Sequence, residues 1–198
     1  MTADFVAWLI RVVCGVRLLP AEALPPGPVI LFANHSSHLD FATIWAALPP
    51  GFRARTRPVA GRDYWLRTAL RRWIAGGFFR AVLIERQQVT VKSNPLEPML
   101  AALDAGDSLI VFPEGTRSPD GRIQEFKAGL YHLARSRPAR PLVPVHLQNL
   151  SRILPKGEFL PVPLLGNLRV GPALRLEADE TKPAFLARAR AAVESLAR

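Results

Sequence analysis

The sequence is short of cysteine. Cys14 is the only one in 198 residues, so no intramolecular disulfide can form, which permits a reducing compartment without requiring one. It lies in an apolar run with no histidine beside it, a poor setting for a catalytic thiol. No G-x-S-x-G nucleophile elbow occurs, which argues against a serine hydrolase. His35 and His38 are three apart rather than the four of a zinc helix, and no third ligand cluster accompanies them, which argues against a zinc site. No apolar run reaches the roughly 20 residues that a bilayer-spanning helix needs. Acidic residues are outnumbered, 16 against 26 Lys and Arg, leaving a net charge of +10 and a pI near 11.1. Such a chain favours polyanions: nucleic acid, an anionic membrane surface or phosphorylated ligands.

What is present suits one domain with a real core, since 49% of residues are apolar. The N-terminal stretch DFVAWLIRVVCGVRLLP is interrupted by Arg11 and Arg17 and ended by Pro20. Asp4 is its only charge before Arg11, so it lacks the basic start of a signal peptide. Two readings stay open: a helix lying in a membrane interface with Trp8 at headgroup level, or a terminal helix packed on the core. Residues 1–20 are accordingly set apart as an apolar helix, and 21–198 as the domain proper. AEALPPGP, 21–28, is the linker into it.

Beyond the linker, strand-like and helix-like runs alternate. VILFA (29–33), RPVAG (57–61), RAVLIE (80–85), SLIVF (108–112) and PLVPVHL (141–147) read as strands. Helices are expected over Ser37–Leu48, 62–75, 94–106 with Gly106 as C-cap, 125–137 and Pro183–Leu196. Within 62–75 the evidence is an apolar stripe of Leu66, Ala69, Leu70, Trp73 and Ile74. Residues 151–180 are proline-rich with short strand-like pieces. The alternation predicts a single α/β domain with a largely parallel central sheet flanked by helices. Ligands in such sheets gather beyond the carboxyl ends of the strands, where the loops after Ala33 and Phe112 fall.

The first loop holds His35 five residues before Asp40. On a continuous helix five residues turn about 140°, so the side chains meet only if His35 lies outside the helix. A strand ending near Ala33 and a cap at Ser36 or Ser37 would arrange that. Ser37-x-x-Asp40 also resembles a capping box, and capping alone would explain both residues. It would not explain two histidines beside Asn34 at the mouth of a sheet. The second loop, FPEGTRS, puts Glu114 and Arg117 around Gly115, with Lys127 near the next helix start. Glycine admits backbone N–H groups to an oxyanion, and arginine forks onto phosphate, so this is a candidate phosphate site. A solvated turn with a surface ion pair would look similar.

Together, NHSSHLD and FPEGTRS resemble the glycerolipid acyltransferase family, best known for 1-acyl-sn-glycerol-3-phosphate (lysophosphatidic acid) acyltransferases. The first motif, N-H-x-x-x-x-D, is matched by Asn34, His35 and Asp40, and the third, F-P-E-G-T-R-S, by Phe112 to Ser118. AVLIER is similar to the second, with Glu85 where aspartate is commoner and Arg86 after it; LVPVHL, with Pro144, is similar to the fourth. The resemblance spans residues 29–147. It implies a glycerol-3-phosphate acyltransferase-like fold and acyl transfer from acyl-CoA or acyl-carrier protein to lysophosphatidic acid. His35 would be the general base and Asp40 its partner. Glu114, Gly115, Thr116 and Arg117 would shape the acceptor site, with Arg117, Arg86 or Lys127 on the phosphate and Arg62 a weaker candidate. Another lysophospholipid, glycerol 3-phosphate or an aminolipid remains an alternative acceptor, and a non-catalytic lipid- or nucleic-acid-binding module the non-enzymatic alternative. No metal or organic cofactor is expected beyond the thioester itself.

From Arg53 to Arg86 there are nine arginines against two acids, with Tyr64, Trp65, Trp73, Phe78 and Phe79 among them. That mixture suits anionic headgroups, single-stranded nucleic acid, or a core helix with a basic rim. A lipid acceptor favours the first, so the implied partners are membrane lipids, the lysophospholipid, the thioester and an acidic carrier protein, with no nucleic acid. The implied place is the cytoplasmic face of a membrane, peripheral or monotopic, with 3–19 and 62–75 in contact.

Overall fold

A computed structural model of the chain describes residues 3–37, 39–85, 94–149 and 166–197. Six strands form one sheet: β1 (Ile30–Ala33), β2 (Thr56–Gly61), β3 (Val82–Ile84), β4 (Ser108–Val111), β5 (Leu142–Gln148) and β6 (Asn167–Val170). Their spatial order is β3-β2-β4-β1-β5-β6, and every pairing is parallel except β5–β6. The central strands read as unbroken apolar runs because they are covered on both faces. Alternate residues divide between two layers: Ile30 and Phe32 face one, Leu31 and Ala33 the other.

One layer is built by α1 (Ala3–Cys14), α2 (Asp40–Ala47) and the chain between β2 and β3; Trp45, Leu48 and Phe79 pack there on Leu31, Ile110 and Val143. A short helix, α3 (Pro50–Arg53), follows α2. The opposite layer holds α6 (Leu96–Asp104), α7 (Gly129–Ser136) and α8 (Lys182–Ser195), whose Met99, Leu103, Leu133 and Phe185 cover Ile30, Leu109 and Leu142. Burying these side chains is worth roughly 1.5–3 kcal/mol each.

The N-terminal helix packs on the core along one face and meets solvent along the other. Ala7 and Cys14 face inward against α2. The Arg11 guanidinium donates to Ala46 O at 2.9 Å, and the buried Arg53 pairs with Asp4 while donating to Leu48 O at 3.0 Å. Both arginines thereby serve carbonyls at the C-terminal end of α2. The other face leaves Phe5, Trp8, Leu9 and Val12 exposed. No helix among the described residues is long and apolar enough to cross a membrane.

Three expected helices differ. Residues 62–75 are not one helix but α4 (Arg62–Trp65), α5 (Ala69–Arg72) and a π-helical turn, Trp73–Phe78. Thr68 is extended between them and its hydroxyl accepts the Arg71 N–H at 3.2 Å, an N-cap that restarts the helix. The apolar stripe is only partly covered: Ile74 packs on the core, while Leu70 and Trp73 are 66% and 62% exposed. α2 begins at Asp40 rather than Ser37, because the Asp40 carboxylate holds the preceding amides in a loop. α7 begins at Gly129, after Lys127. The strand-like pieces in 151–165 lie outside the described residues; the later part of that region supplies β6.

Candidate active site

β1 and β4 are neighbours in register, Ile30 opposite Leu109 and Phe32 opposite Val111. Both point the same way, so the loops that leave their carboxyl ends emerge side by side. This is why motifs 79 residues apart meet. The His35 N–H donates to Glu114 Oε1 at 2.8 Å, and the Ser118 N–H donates back to His35 O at 2.8 Å. The His35 ring stacks on Phe112, centroids 4.3 Å apart and planes 21° from parallel.

His35 Nδ1 lies 2.8 Å from Asp40 Oδ2. The same oxygen accepts the N–H groups of Ser36 at 2.6 Å and Ser37 at 2.8 Å. One carboxylate thus closes the loop, as a helix-capping acid does, and orients the imidazole. With its proton on Nδ1 facing Asp40, the neutral ring carries its lone pair on Nε2, a tautomer assigned from these contacts. Asp40 is fully buried and the His35 side chain is 20% exposed. Asp40 Oδ1 has no partner among the described residues.

His35 lines a cavity of about 750 Å³ with Gly115, Thr116, Arg117 and Lys127. That volume is of the order expected for a small-molecule site. Gly115 has φ +70°, and a Cβ there would come within 2.8 Å of Lys127 Nζ, so glycine serves both the turn and the close passage of the lysine. Among the described residues, Arg117 and Lys127 form no ion pair, and the N–H groups of Thr116 and Arg117 have no acceptor. Positive charge and free donors therefore converge beside the imidazole.

Glu114 belongs to the site differently from its loop neighbours. It does not line the cavity; it is buried, and its oxygens accept the N–H groups of His35 and Gln124, the latter at 3.2 Å. Burial holds its carboxyl above the ordinary value of 4.5 despite those bonds. It shapes the site from behind.

Residues 16–148 match the family model described as acyltransferase. The chain belongs to the acyltransferase family. It is 32% identical over 142 residues to the human 1-acyl-sn-glycerol-3-phosphate acyltransferase alpha, a match covering 69% of this chain and 47% of that protein. It is 28% identical over 178 residues to the Pseudomonas aeruginosa 1-acyl-sn-glycerol-3-phosphate acyltransferase, covering 88% of this chain and 66% of that one. The chain spans about half the length of the mammalian relatives it matches. Its fold is similar to the crystal structure of PlsC, the 1-acyl-sn-glycerophosphate acyltransferase of Thermotoga maritima, with a TM-score of 0.77, 20% identity, and coverage of 98% of this chain and 78% of that one.

In this acyltransferase-family chain, the loop positions His35, Asp40, Gly115, Thr116, Arg117 and Lys127 come together. Arg86 and His38 lie outside the described residues. Arg62 is exposed and not on the cavity wall, where Arg67 stands instead. Asn34 has a role that its position in the motif does not reveal. Its side chain donates to Leu147 O at 2.9 Å and accepts the Leu147 N–H at 2.8 Å, lacing the end of β1 to β5 just before His35. Its partner is 113 residues away, beyond the reach of local sequence reading.

Proposed function

We propose that the chain transfers an acyl group from a thioester, acyl-CoA or acyl-carrier protein, to the free hydroxyl of lysophosphatidic acid, giving phosphatidic acid for phospholipid synthesis. The observation that carries this reading is the His35–Asp40 contact of 2.8 Å, with Nε2 unpaired among the described residues in a cavity that also holds Arg117 and Lys127. The curated relatives named for this reaction support the choice of acceptor.

The chemistry follows from the arrangement. A lipid hydroxyl is a weak nucleophile, and Nε2 takes its proton as the oxygen attacks the thioester carbonyl. Asp40 holds the Nδ1 tautomer and stabilises the imidazolium, so no enzyme serine is needed. The Thr116 and Arg117 amides are donors for the tetrahedral oxyanion. Collapse breaks the C–S bond, and the imidazolium returns its proton to the departing thiolate. General-base action of this kind contributes about 10²–10⁴-fold. The Arg117 fork and Lys127 bind the acceptor phosphate. The steps as proposed call on no metal or organic cofactor.

The exposed Phe5, Trp8, Leu9 and Val12 of α1, with Leu70 and Trp73 set among Arg67, Arg71 and Arg72, support contact with an anionic membrane surface. We place the protein there as a peripheral or monotopic unit on the cytoplasmic face, where thioester donors are available.

The test is a thiol-release assay with acyl-CoA and acyl-carrier protein against a panel of lysolipids, glycerol 3-phosphate and an aminolipid. The greatest rate is expected with lysophosphatidic acid. His35→Ala should reduce it by about 10³-fold or more while vesicle binding persists. If the wild-type protein releases no thiol with any acceptor, a non-catalytic binding module replaces this reading.

A further inference from the structure

Hydrogen bonds hold His35 at one ring edge and at its backbone, and none of them fixes the face of the ring. The last torsion of a histidine side chain is broad, without sharp staggered wells, so a contact at Nδ1 alone leaves the ring free to rock about it. Phe112 removes that freedom. Its ring lies 4.3 Å from the imidazole and 21° from parallel. Other ring pairs on the cavity wall meet edge to face, Phe41 with Trp65 at 84° and with Phe79 at 82°. The stacked geometry instead lays the imidazole on the electron-rich face of its neighbour.

Phe112 is a fixed platform. It follows β4 directly, and its side chain packs on the layer that holds α2, the helix that begins with Asp40. Val111 before it turns to the opposite layer. The Phe112 carbonyl accepts the Gly115 N–H at 3.0 Å, so the turn of the second loop sets its backbone. The half-buried ring reaches the cavity wall beside His35.

The charge balance gives this platform a task. In the proposed reaction the acceptor hydroxyl passes its proton to Nε2 as its oxygen bonds to the thioester carbonyl carbon. The proton leaves again on the thiolate when the C–S bond breaks. Between those events the ring is an imidazolium, in a cavity that Arg117 and Lys127 also line. Asp40 meets that charge at one edge, 2.8 Å from Nδ1. An aromatic face within about 6 Å attracts a cation far more than it attracts a neutral ring.

We infer that Phe112 is a positioning residue of the reaction: its ring aims Nε2 into the cavity, and its π face stabilises the imidazolium. This rests on the acyltransferase reading above and adds a group outside the His35–Asp40 pair. The charge exists only once the proton moves, so the effect belongs to kcat rather than KM. Cation–π contacts of the strength found in proteins correspond to about 2- to 30-fold in rate.

The experiment replaces Phe112 with mono-, di- and trifluorophenylalanine, which draw charge from the ring face while nearly keeping its size. Thiol release is measured with the donor and lysophosphatidic acid that wild type turns over fastest, alongside thermal melting. Each added fluorine should lower kcat, to a loss of about tenfold at three, with both KM values and the melting temperature as in wild type. A side chain that only fills space would leave kcat level along the series, and a level series overturns the inference. A fall confined to KM, or one that tracks melting temperature, overturns it too. Phe112→Tyr, which keeps the face, should stay within about twofold, while Phe112→Leu should lose at least as much kcat as the trifluoro ring. Wild-type kcat in Phe112→Leu would overturn the inference while leaving the reaction standing. A wild-type protein that releases no thiol with any donor would overturn the reaction itself, and the role of Phe112 with it.

Discussion

His35 and Glu114 are tied through the main chain: the His35 N–H donates to the buried Glu114 carboxylate at 2.8 Å, while the carbonyl of the same residue accepts from Ser118. The imidazole is therefore held twice, by Asp40 at its ring and by the neighbouring loop at its backbone. An acid in a loop of this kind looks from sequence like a ligand-facing group; its place in the fold makes it a strut.

Glu114→Gln should expose that role. The amide retains one acceptor oxygen and turns an NH₂ toward the second N–H, leaving a buried donor unpaired at a cost of about 1–3 kcal/mol. A small displacement of His35 should lower kcat by about 10²-fold, with acceptor KM nearly unchanged because Glu114 does not touch the cavity. A raised carboxyl contributes stability that is full below its unfolded value of 4.5 and lost as pH rises through its folded value. The stability deficit of the variant, read from denaturant melts, should therefore be greatest in acid and shrink as pH rises.

Charge reversal at Arg117 and at Arg190 separates site from surface. Arg117 lines the cavity; Arg190 lies on α8 and pairs with Glu194 at 2.8 Å across one helical turn, an exposed pair worth about 0.3–0.5 kcal/mol. Arg117→Glu should cut kcat/KM with lysophosphatidic acid about 10²-fold or more, whereas Arg190→Glu should stay within about twofold. Equal losses would make Arg117 ordinary surface.

His146 gives the fold a pH dependence apart from the site. It is buried on β5 opposite Arg169 of β6. Burial, then the arginine charge, hold its imidazole below the ordinary 6.5. The folded state thus binds fewer protons than the unfolded chain between the two values. Stability is full above 6.5 and falls as pH drops through that window, by at most about 1.4 kcal/mol per unit. Guanidinium melts at several pH values should show this slope reduced in His146→Gln.

The exposed aromatics predict where lipid touches. Trp8→Asp and Trp73→Asp should each weaken binding to anionic vesicles, measured by sedimentation. Thermal melting should change little, since both side chains face solvent. Unchanged vesicle binding in both variants would remove these two surfaces as the contact.

Much of this molecule is legible in one dimension. β1, β4 and β5 are buried on both faces and so must be unbroken apolar runs, and Gly106 marks the end of α6 by adopting φ +83°. Within the first loop, five residues of spacing sufficed to bring His35 to Asp40, because a loop closed by its own carboxylate is a local structure. The periodic stripe from Leu66 to Ile74 misled for the complementary reason: helical spacing records which side chains share a face, not what lies opposite that face. There Leu70 and Trp73 meet solvent while Ile74 packs on the core, and Thr68 interrupts the helix.

Composition, strand pattern and the two loops come from residues that act on near neighbours, and they were sufficient to expect a parallel α/β domain with a base and an anion site at its strand ends. Only the folded chain could decide that the Glu114 carboxylate accepts from the amides of His35 and Gln124, that Asn34 laces β1 to β5, and that the cavity draws its walls from both layers. Each of those depends on partners brought together by the strand order, and strand order is set by how whole layers pack, a property that no short stretch of residues carries.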